Sequence, residues 1–176
     1  NRAIALFVTA PANWYVVLKN PAKDDVRPRE GSANSAVELQ VGRKVNLAGP
    51  VSFPLWPGQM AKVIQGHRLS SNQYVCAQIH DPAAASAAGF ETEPLVVGQK
   101  LIIKGTDTPF FVPPTGIEVI PDAEGRYTRE ALSLQRLEYC ALVDEAGRRR
   151  YERGPAVVFP RIDERFVERR GQRAFP

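Results

Sequence analysis

Three glycine-framed segments constrain the fold of this 176-residue chain more than any other feature. Each begins and ends with a glycine, and the two glycines are seven positions apart, at Gly42–Gly49, Gly98–Gly105 and Gly147–Gly154. The first and third copies end on Gly-Pro and continue to a Phe-Pro pair, Phe53-Pro54 and Phe159-Pro160, whereas the middle copy is looser. A segment that recurs at long intervals is the signature of a repeat architecture.

A second recurring element precedes each glycine frame. It is an aromatic-led run of apolar residues that closes on Asn or Asp, at Tyr15–Asn20, Tyr74–Asp81 and Tyr139–Asp144. Such runs, bounded by turn-forming residues, are typical of strands. Because frequent Pro and Gly leave little room for long helices, the sequence predicts a mainly β fold. In all three copies the aromatic-led run comes first and the glycine-framed segment second. This common order predicts tandem antiparallel β repeat domains of about fifty residues, stacked linearly.

The predicted domains are repeat 1 at residues 1–56, a degenerate repeat 2 at 57–112 and repeat 3 at 113–176. Locally, Asp144–Gly147 is a hairpin signal between two strands. The apolar run Leu101–Ile103 is predicted to be a short buried strand. The segment 128–137 is predicted as strand because Leu132 and Leu134 alternate with polar residues. The Ala-rich segment 82–89 is either a short helix, with Pro in its first turn and Gly at its end, or a flexible loop.

The residues also resemble a known family. Phe53–Gln59 (Phe-Pro-Leu-Trp-Pro-Gly-Gln) is similar to the Phe-Pro-Leu-aromatic-Pro-Gly-Glu element in the repeats of the major vault protein family. Tyr15–Pro21 resembles the Tyr-apolar-Asn-Pro strand of those repeats, and residues 134–160 resemble their turn and Gly-Pro close. The resemblance implies tandem antiparallel β domains stacked end to end, which in that family line up side by side as staves of a large hollow shell.

The sequence departs from that family in one respect. It shows no shoulder domain and no heptad periodicity of the kind that predicts a long cap helix, which in the family helps to hold neighbouring chains together. We therefore expect a fragment, a short relative, or a protein that uses the repeat in another assembly such as a virus particle. The last residues, Ala174–Pro176, follow soon after the third Gly-Pro close, as they would after a cut within a longer array.

The histidines and cysteines do not form a recognisable catalytic or metal-binding motif. Cys76 and Cys140 lie in apolar runs, and we predict buried free thiols there. His67 is predicted to be a surface or turn histidine, and His80 a hydrogen-bonded residue at a strand end. A zinc site made of His67, Cys76 and His80 matches no closed four-ligand pattern.

Catalytic and cofactor motifs are not found in the sequence. It has no Gly-x-Ser-x-Gly elbow and no phosphate-binding Gly-x-x-x-x-Gly-Lys loop. Adjacent carboxylates such as Asp24-Asp25 would point to opposite faces of a strand, which makes them poor acid/base partners. We therefore predict no catalytic residue, no cofactor and no metal site, and a non-enzymatic protein.

Arginines are concentrated in the last thirty residues, within a net charge of +4. Acidic residues are interleaved with them, so three interpretations stand: ion pairs within the sheet surface or across a subunit contact, a solvated face, or a nucleic-acid face. Trp56, between prolines, is either an exposed contact residue or packed locally. The candidate subunit-interface residues are Trp56, Arg148, Arg149, Arg150, Arg161, Arg165, Arg169 and Arg170.

The function predicted from these features is that of a structural protein that assembles with itself, or with other particle subunits, into a vault-like shell or ring. A bacteriophage virion component (capsid-decorating or tail-associated) and a monomeric protein-binding adaptor are the alternatives. The expected location is a cytoplasmic particle or, for the alternative, a virion. No apolar run approaches the roughly 18 residues needed to span a bilayer, so no membrane partner is predicted.

Overall fold

The structure is a computed structural model that describes residues 6–28, 37–90 and 95–176. It is mainly β, with antiparallel pairs of short strands and one short helix in the described residues, which confirms the predicted fold class at this level. In chain order the strands are β1 (Phe7–Ala10), β2 (Trp14–Lys19), β3 (Lys44–Ala48), β4 (Val51–Pro54), β5 (Met60–Gln65), β6 (His67–Arg68), β7 (Gln73–Ile79), β8 (Lys100–Lys104), β9 (Phe110–Phe111), β10 (Ile117–Ile120), β11 (Arg129–Glu130), β12 (Leu132–Leu134), β13 (Tyr139–Val143), β14 (Arg149–Arg153), β15 (Ala156–Val158) and β16 (Arg165–Phe166). The helix, α1, spans Pro82–Ala87.

The described residues form two compact units. The first contains those within 1–66, 79–97 and 112–117, and the second contains those within 67–78, 98–111 and 118–176. No helix in the described residues is long and apolar enough to cross a membrane.

The first unit is built around β2. This strand lies between β3 and β5 and pairs antiparallel with both, while β1 pairs antiparallel with β4. Alternate side chains of β2 point to one side, where Val16 and Leu18 join Val8, Ala10 and Phe53 in a buried apolar cluster. The period-2 alternation of a strand accounts for this arrangement, since one face of the sheet is apolar and buried.

The second unit contains two similar arrangements. The strand β7 lies beside β8 on one side and β10 and β11 on the other, and β6 pairs with β9. Further along, β13 lies between β14 and β16, and β12 pairs with β15. Each sheet has its own apolar cluster, one around Val75 and Val119 and the other around Cys140 and Leu142.

One pairing scheme therefore occurs around three central strands. On one side, each central strand pairs with the next strand along the chain: β2 with β3, β7 with β8, and β13 with β14. On its other side lies a later strand: β5, β10 or β16 respectively. The strand before each central strand pairs with the strand that follows the glycine frame, as β1–β4, β6–β9 and β12–β15.

The glycines that close the three frames lie where two backbone segments come close together. The N–H groups of Gly49, Gly105 and Gly154 each donate a 2.8 Å hydrogen bond, to the carbonyl oxygens of Trp14, Gln73 and Glu138 respectively. A Cβ at these positions would lie 2.1, 1.8 and 1.9 Å from the carbonyl oxygens of Pro11, Ser70 and Gln135. No side chain fits at such distances, so the frame requires glycine for space and not only for backbone freedom.

Most local predictions hold. The Asp144–Gly147 hairpin joins β13 to β14, the Leu101–Ile103 strand is the centre of β8, and strand is found at β11 and β12 within 128–137. The Ala-rich segment is a helix, whose N-cap Asp81 accepts a hydrogen bond from the Ala84 N–H. Both cysteines are free; Cys140 is buried as predicted, whereas Cys76 is half-buried.

The two Phe-Pro pairs do not occupy the same environment. Phe53 lies in the apolar cluster of the first unit, where β4 places it opposite Val8. In the second unit the corresponding cluster position, opposite Leu132, is taken by Val158. Phe159 comes one residue later, just after β15, and its ring points away from that cluster, toward Tyr74. The alignment of Phe53-Pro54 with Phe159-Pro160 by sequence is therefore shifted by one residue relative to the strands.

Candidate interaction surfaces

Each of the sheets around β2, β7 and β13 has an outer face, defined as the side opposite its apolar cluster. In the first unit this face carries Tyr15 and Val17 of β2 and, opposite Val17, Asn46 of β3. The turn 113–117 lies on it. The Asn46 side-chain NH₂ group lies within hydrogen-bonding distance of the carbonyl oxygens of Pro113 (3.1 Å), Pro114 (2.9 Å) and Ile117 (2.9 Å), and the Asn46 backbone N–H donates to Thr115 Oγ1 at 3.0 Å.

The outer face of the β7–β8 sheet, in the second unit, is also covered by a turn. Phe159 packs edge-on against Tyr74, with 6.1 Å between ring centroids, and the Lys104 ammonium lies 5.1 Å from the centre of the Phe159 ring. Phe159 to Ile162 and residues of β8, including Ile102, line a shallow cavity of about 370 Å³. Tyr74 is buried by these contacts and its own sheet, and burial raises the pKa of its phenol.

The outer face of the β13–β14–β16 sheet is open by comparison. Tyr151 is 58% exposed, and Arg149 and Arg153 flank it on the same side of β14. The Tyr139 ring lies 6.5 Å from that of Tyr151, and 5.6 Å from that of Phe175. The face therefore combines exposed guanidinium groups with a row of aromatic rings.

Arg150 points to the opposite side of β14 and has a structural role. Its guanidinium donates to Glu164 at 2.7 and 3.0 Å, to Glu152, and to the Phe159 carbonyl oxygen at 3.2 Å. The Glu164 side chain is only 6% exposed. Hydrogen bonding to Arg150 lowers the pKa of Glu164, and the same bonds raise the pKa of Arg150. Arg150 is thus an internal ion-pair residue.

The other candidate arginines separate into two groups. Arg148 pairs with Asp144 at 2.8 Å, and Arg169 lies over the Phe175 ring at 5.7 Å, so both have partners in the chain. Arg149, Arg161, Arg165 and Arg170 are exposed and form no ion pair among residues 6–28, 37–90 and 95–176. Of these, Arg149 and Arg165 belong to the outer face of the third sheet, because each pairs opposite Val143. Ion pairing within the chain therefore accounts for only part of the arginine cluster.

Trp56 is packed locally. It is 7% exposed, and its indole N–H donates to the Val26 carbonyl oxygen at 2.7 Å. Its backbone N–H donates to Gln59 Oε1 at 2.9 Å, and Arg27 lies over the neighbouring Phe53 ring at 4.8 Å. Of the two sequence interpretations of Trp56, the structure gives local packing and not an exposed contact residue.

His67 is the polar residue that sequence reasoning placed wrongly. It is a buried residue of β6, 4% exposed, and its ring packs edge-on against Tyr127 at 5.2 Å. Burial lowers its pKa to about 4. The Gln-Gly sequence before His67 favours a turn, but His67 pairs with Phe111 in the β6–β9 pair, and its ring packs against Tyr127, neither of which the sequence indicates.

No group of three or more His, Cys, Asp or Glu side chains in the described part of the chain is close enough to hold a metal ion. The first unit has a cavity of about 590 Å³, with Leu18, Val45, Phe53 and Pro54 among its lining residues. The cavity wall also carries Arg27, Arg43, Asp25 and Thr115, and the described lining residues include no cysteine, serine or histidine.

Comparison with known proteins gives no assignment. No protein-family model matches the chain, and no curated protein matches it significantly.

Proposed function

We propose that this chain is a non-enzymatic structural protein of three tandem antiparallel β repeats, stacked linearly, that packs with other copies or other subunits into a larger particle. One observation carries the proposal. The pairing scheme around β2 recurs around β7 and β13. The turn 113–117 lies on the outer face of the β2–β3–β5 sheet, and the turn 159–162 lies on that of the β7–β8 sheet. Repeats in which a turn of one lies on the sheet of another are the basis of linear stacking.

The pairings also suggest where the proposed repeats begin and end. Because β5 pairs with β2, the first repeat would extend to about Gln65. Because β10 lies beside β7, the second would extend to about Ile120. The predicted divisions after residues 56 and 112 would then fall just before the last strand of each repeat. These repeats would keep the strands paired with β2 and β13 together, whereas β11, which also pairs with β7, would lie beyond the end of the second repeat.

Exposed apolar side chains support contacts between copies. Leu6 and Phe7, at the start of β1, are each 68% exposed, and Met60 on β5 is 55% exposed. Leu6 and Phe7 are adjacent, and large exposed apolar side chains that lie close together mark interaction sites more often than plain surface. The resemblance to major vault protein repeats points the same way, since in that family the units pack side by side in a shell.

Light scattering coupled to size-exclusion chromatography, with negative-stain imaging of the same fractions, tests the proposal. A single chain has a mass of 19.4 kDa. We expect a species many times this mass, and regular particles in the images. A monodisperse monomer at every concentration would contradict the assembly proposal and favour the adaptor.

A further inference from the structure

We propose that the outer face of the β13–β14–β16 sheet is the docking site for the turn Pro54–Gly58 of a second copy of this chain, so that copies join head to tail. The inference rests on the proposed function and names the two surfaces that would carry it. It follows from a comparison of equivalent positions in the three sheets.

The centre of each outer face is defined by one residue. Asn46, Ile102 and Tyr151 each lie three positions before the glycine that closes their frame. The strand pairing places them opposite Val17, Cys76 and Ala141 respectively. They therefore have the same place in the same strand arrangement, and their surroundings can be compared directly.

Two of the three positions are covered by a turn from the same chain. The turn 113–117 bonds Asn46 through its side chain and through its backbone N–H, which faces away from β2. The turn 159–162 lies against β8, where Ile102 and Phe159 line one cavity. The first contact is made by hydrogen bonds and the second by the Phe159 ring, so different side chains cover the two faces.

The third position is open. Tyr151 is 58% exposed, and β14 is an edge strand of its sheet. In the β13–β14 pair, the hydrogen-bonded residue pairs Cys140–Glu152 and Leu142–Arg150 lie on either side of the pair Ala141–Tyr151, which is not hydrogen-bonded. The Tyr151 N–H therefore faces away from β13, as the Asn46 N–H faces away from β2. In the described residues no group accepts a hydrogen bond from it. An open edge with exposed aromatic and basic side chains is a surface on which another chain segment can dock.

The matching turn is found in the first unit. In all three turns a backbone N–H donates a 3.1 Å hydrogen bond to the carbonyl oxygen three residues earlier, at Ile117→Pro114, Glu164→Arg161 and Gln59→Trp56. The first of the three turns, Pro54–Gly58, has no Tyr-led sheet before it in the described residues. Its Pro57 and Gly58 are exposed. Each of the three also joins corresponding strands, β4 to β5, β9 to β10 and β15 to β16. The described chain thus has one open face, and Pro54–Gly58 is the corresponding turn that covers no such face in it.

The chemistry of the two surfaces is complementary. Pro57 would place a proline ring on the exposed Tyr151 ring, a contact that aromatic grooves use to bind proline-containing segments. Asp24 and Asp25 are exposed just before Val26, whose carbonyl oxygen holds Trp56. Their carboxylates would face the guanidinium groups of Arg149 and Arg153. The nearby Lys23 ammonium already pairs with Glu38 at 3.1 Å.

Disulfide cross-linking between single-cysteine variants tests this contact. In a chain with Cys76 and Cys140 replaced by alanine, one sample carries Pro57→Cys and another carries Tyr151→Cys. Equal amounts are mixed and oxidised with oxidised glutathione. We expect a covalent dimer of the two variants. Val157→Cys, at a 48% exposed position on the separate β12–β15 sheet, is the matched control and should not cross-link to Pro57→Cys.

The separate outcomes distinguish the inference from the proposed function. Particles by light scattering without the Pro57–Tyr151 cross-link would overturn head-to-tail docking while leaving assembly standing. A monomer without the cross-link would overturn both. Binding of a single-stranded oligonucleotide that Tyr151→Ala abolishes, with no cross-link, would assign the face to nucleic acid instead. If the inference holds, Tyr151→Ala weakens self-association by on the order of tenfold or more.

Discussion

The outer faces of the first and third sheets have the same strand geometry but different surroundings. At the centre of the first, Asn46 is bonded by the turn 113–117. At the centre of the third, Tyr151 is 58% exposed between Arg149 and Arg153. Because the strands pair in the same register in both sheets, the difference lies in the covering turn. The first outer face is thus covered by a turn of the same chain, whereas no turn among the described residues covers the third.

Gly154→Ala should give the largest effect, because it tests whether the third sheet closes as the others do. A Cβ there would lie 1.9 Å from the Gln135 carbonyl oxygen, so the backbone must shift. We expect a loss of about 4 kcal/mol or more in the free energy of unfolding, measured by urea denaturation.

Gly147→Ala, at the other end of the same frame, is the control for that change. Gly147 has a φ of +80° but nothing within 4 Å of an added Cβ, so only backbone strain should count, about 1 kcal/mol. Equal losses for the two variants would mean that the close approach at Gly154 does not determine the fold.

Glu164→Gln tests the inner side of the third sheet. Its carboxylate accepts hydrogen bonds from the Arg150 guanidinium and from the Arg161 N–H, and neutralising it removes one of the two carboxylates that pair with this half-buried cation. We expect a loss of about 3 kcal/mol by urea denaturation. Arg148→Met, which breaks an exposed pair with Asp144, should change stability little, and a comparable loss there would contradict the distinction between the two pairs.

The buried His67 should make the second unit sensitive to acid. Its pKa is about 4 in the folded chain against an ordinary value of 6.5, so the unfolded chain binds the proton first as pH falls. The free energy of unfolding should therefore drop by roughly 2–3 kcal/mol between pH 6.5 and 4, and this contribution should level off below pH 4. Urea denaturation across this range measures the slope. His67→Gln should remove it, and an unchanged slope in that variant would assign the sensitivity to other groups.

Asn46→Ala and Tyr151→Ala compare the covered and open faces directly. The first removes an NH₂ group that lies within hydrogen-bonding distance of three carbonyl oxygens, and we expect a loss of about 2 kcal/mol in unfolding free energy for dilute protein. The second truncates an exposed side chain, so the stability of the dilute protein should change by only about 0.5 kcal/mol or less. A large loss from Tyr151→Ala in dilute protein would show that the third face is covered within one chain.

The local parts of the fold could be predicted because their signals are local. The Tyr-led strand, the Asp144–Gly147 turn and the frame that follows are contiguous, and period-2 alternation with Gly and Pro boundaries indicates a hairpin. The pairing of β1 with β4 could not be predicted, because it joins Phe7 and Pro54 with no signal between them. Phe159 was placed with Phe53 for the same reason: a strand register cannot be read from a Phe-Pro pair alone.

The candidate surface could be predicted in part. Arg149 and Arg150 are adjacent and were treated alike, but adjacent strand residues face opposite sides, so one is exposed and the other forms the Glu164 ion pair. The alternation of Arg149, Tyr151 and Arg153 was present in the sequence and identifies the outer face once β14 is known to be a strand. The burial of His67 depends on Tyr127, sixty residues away, which only the tertiary fold brings near.

Hydrogen exchange of the Tyr151 backbone N–H, followed by NMR over a series of protein concentrations, tests the central claim most directly. In the single chain this N–H has no acceptor in the described residues, whereas that of Asn46 donates to Thr115 Oγ1. If a turn of a second copy docks on the open edge, protection of Tyr151 rises with concentration while that of Asn46 stays constant. Exchange at Tyr151 that remains equally fast while the particle mass grows would contradict the claim.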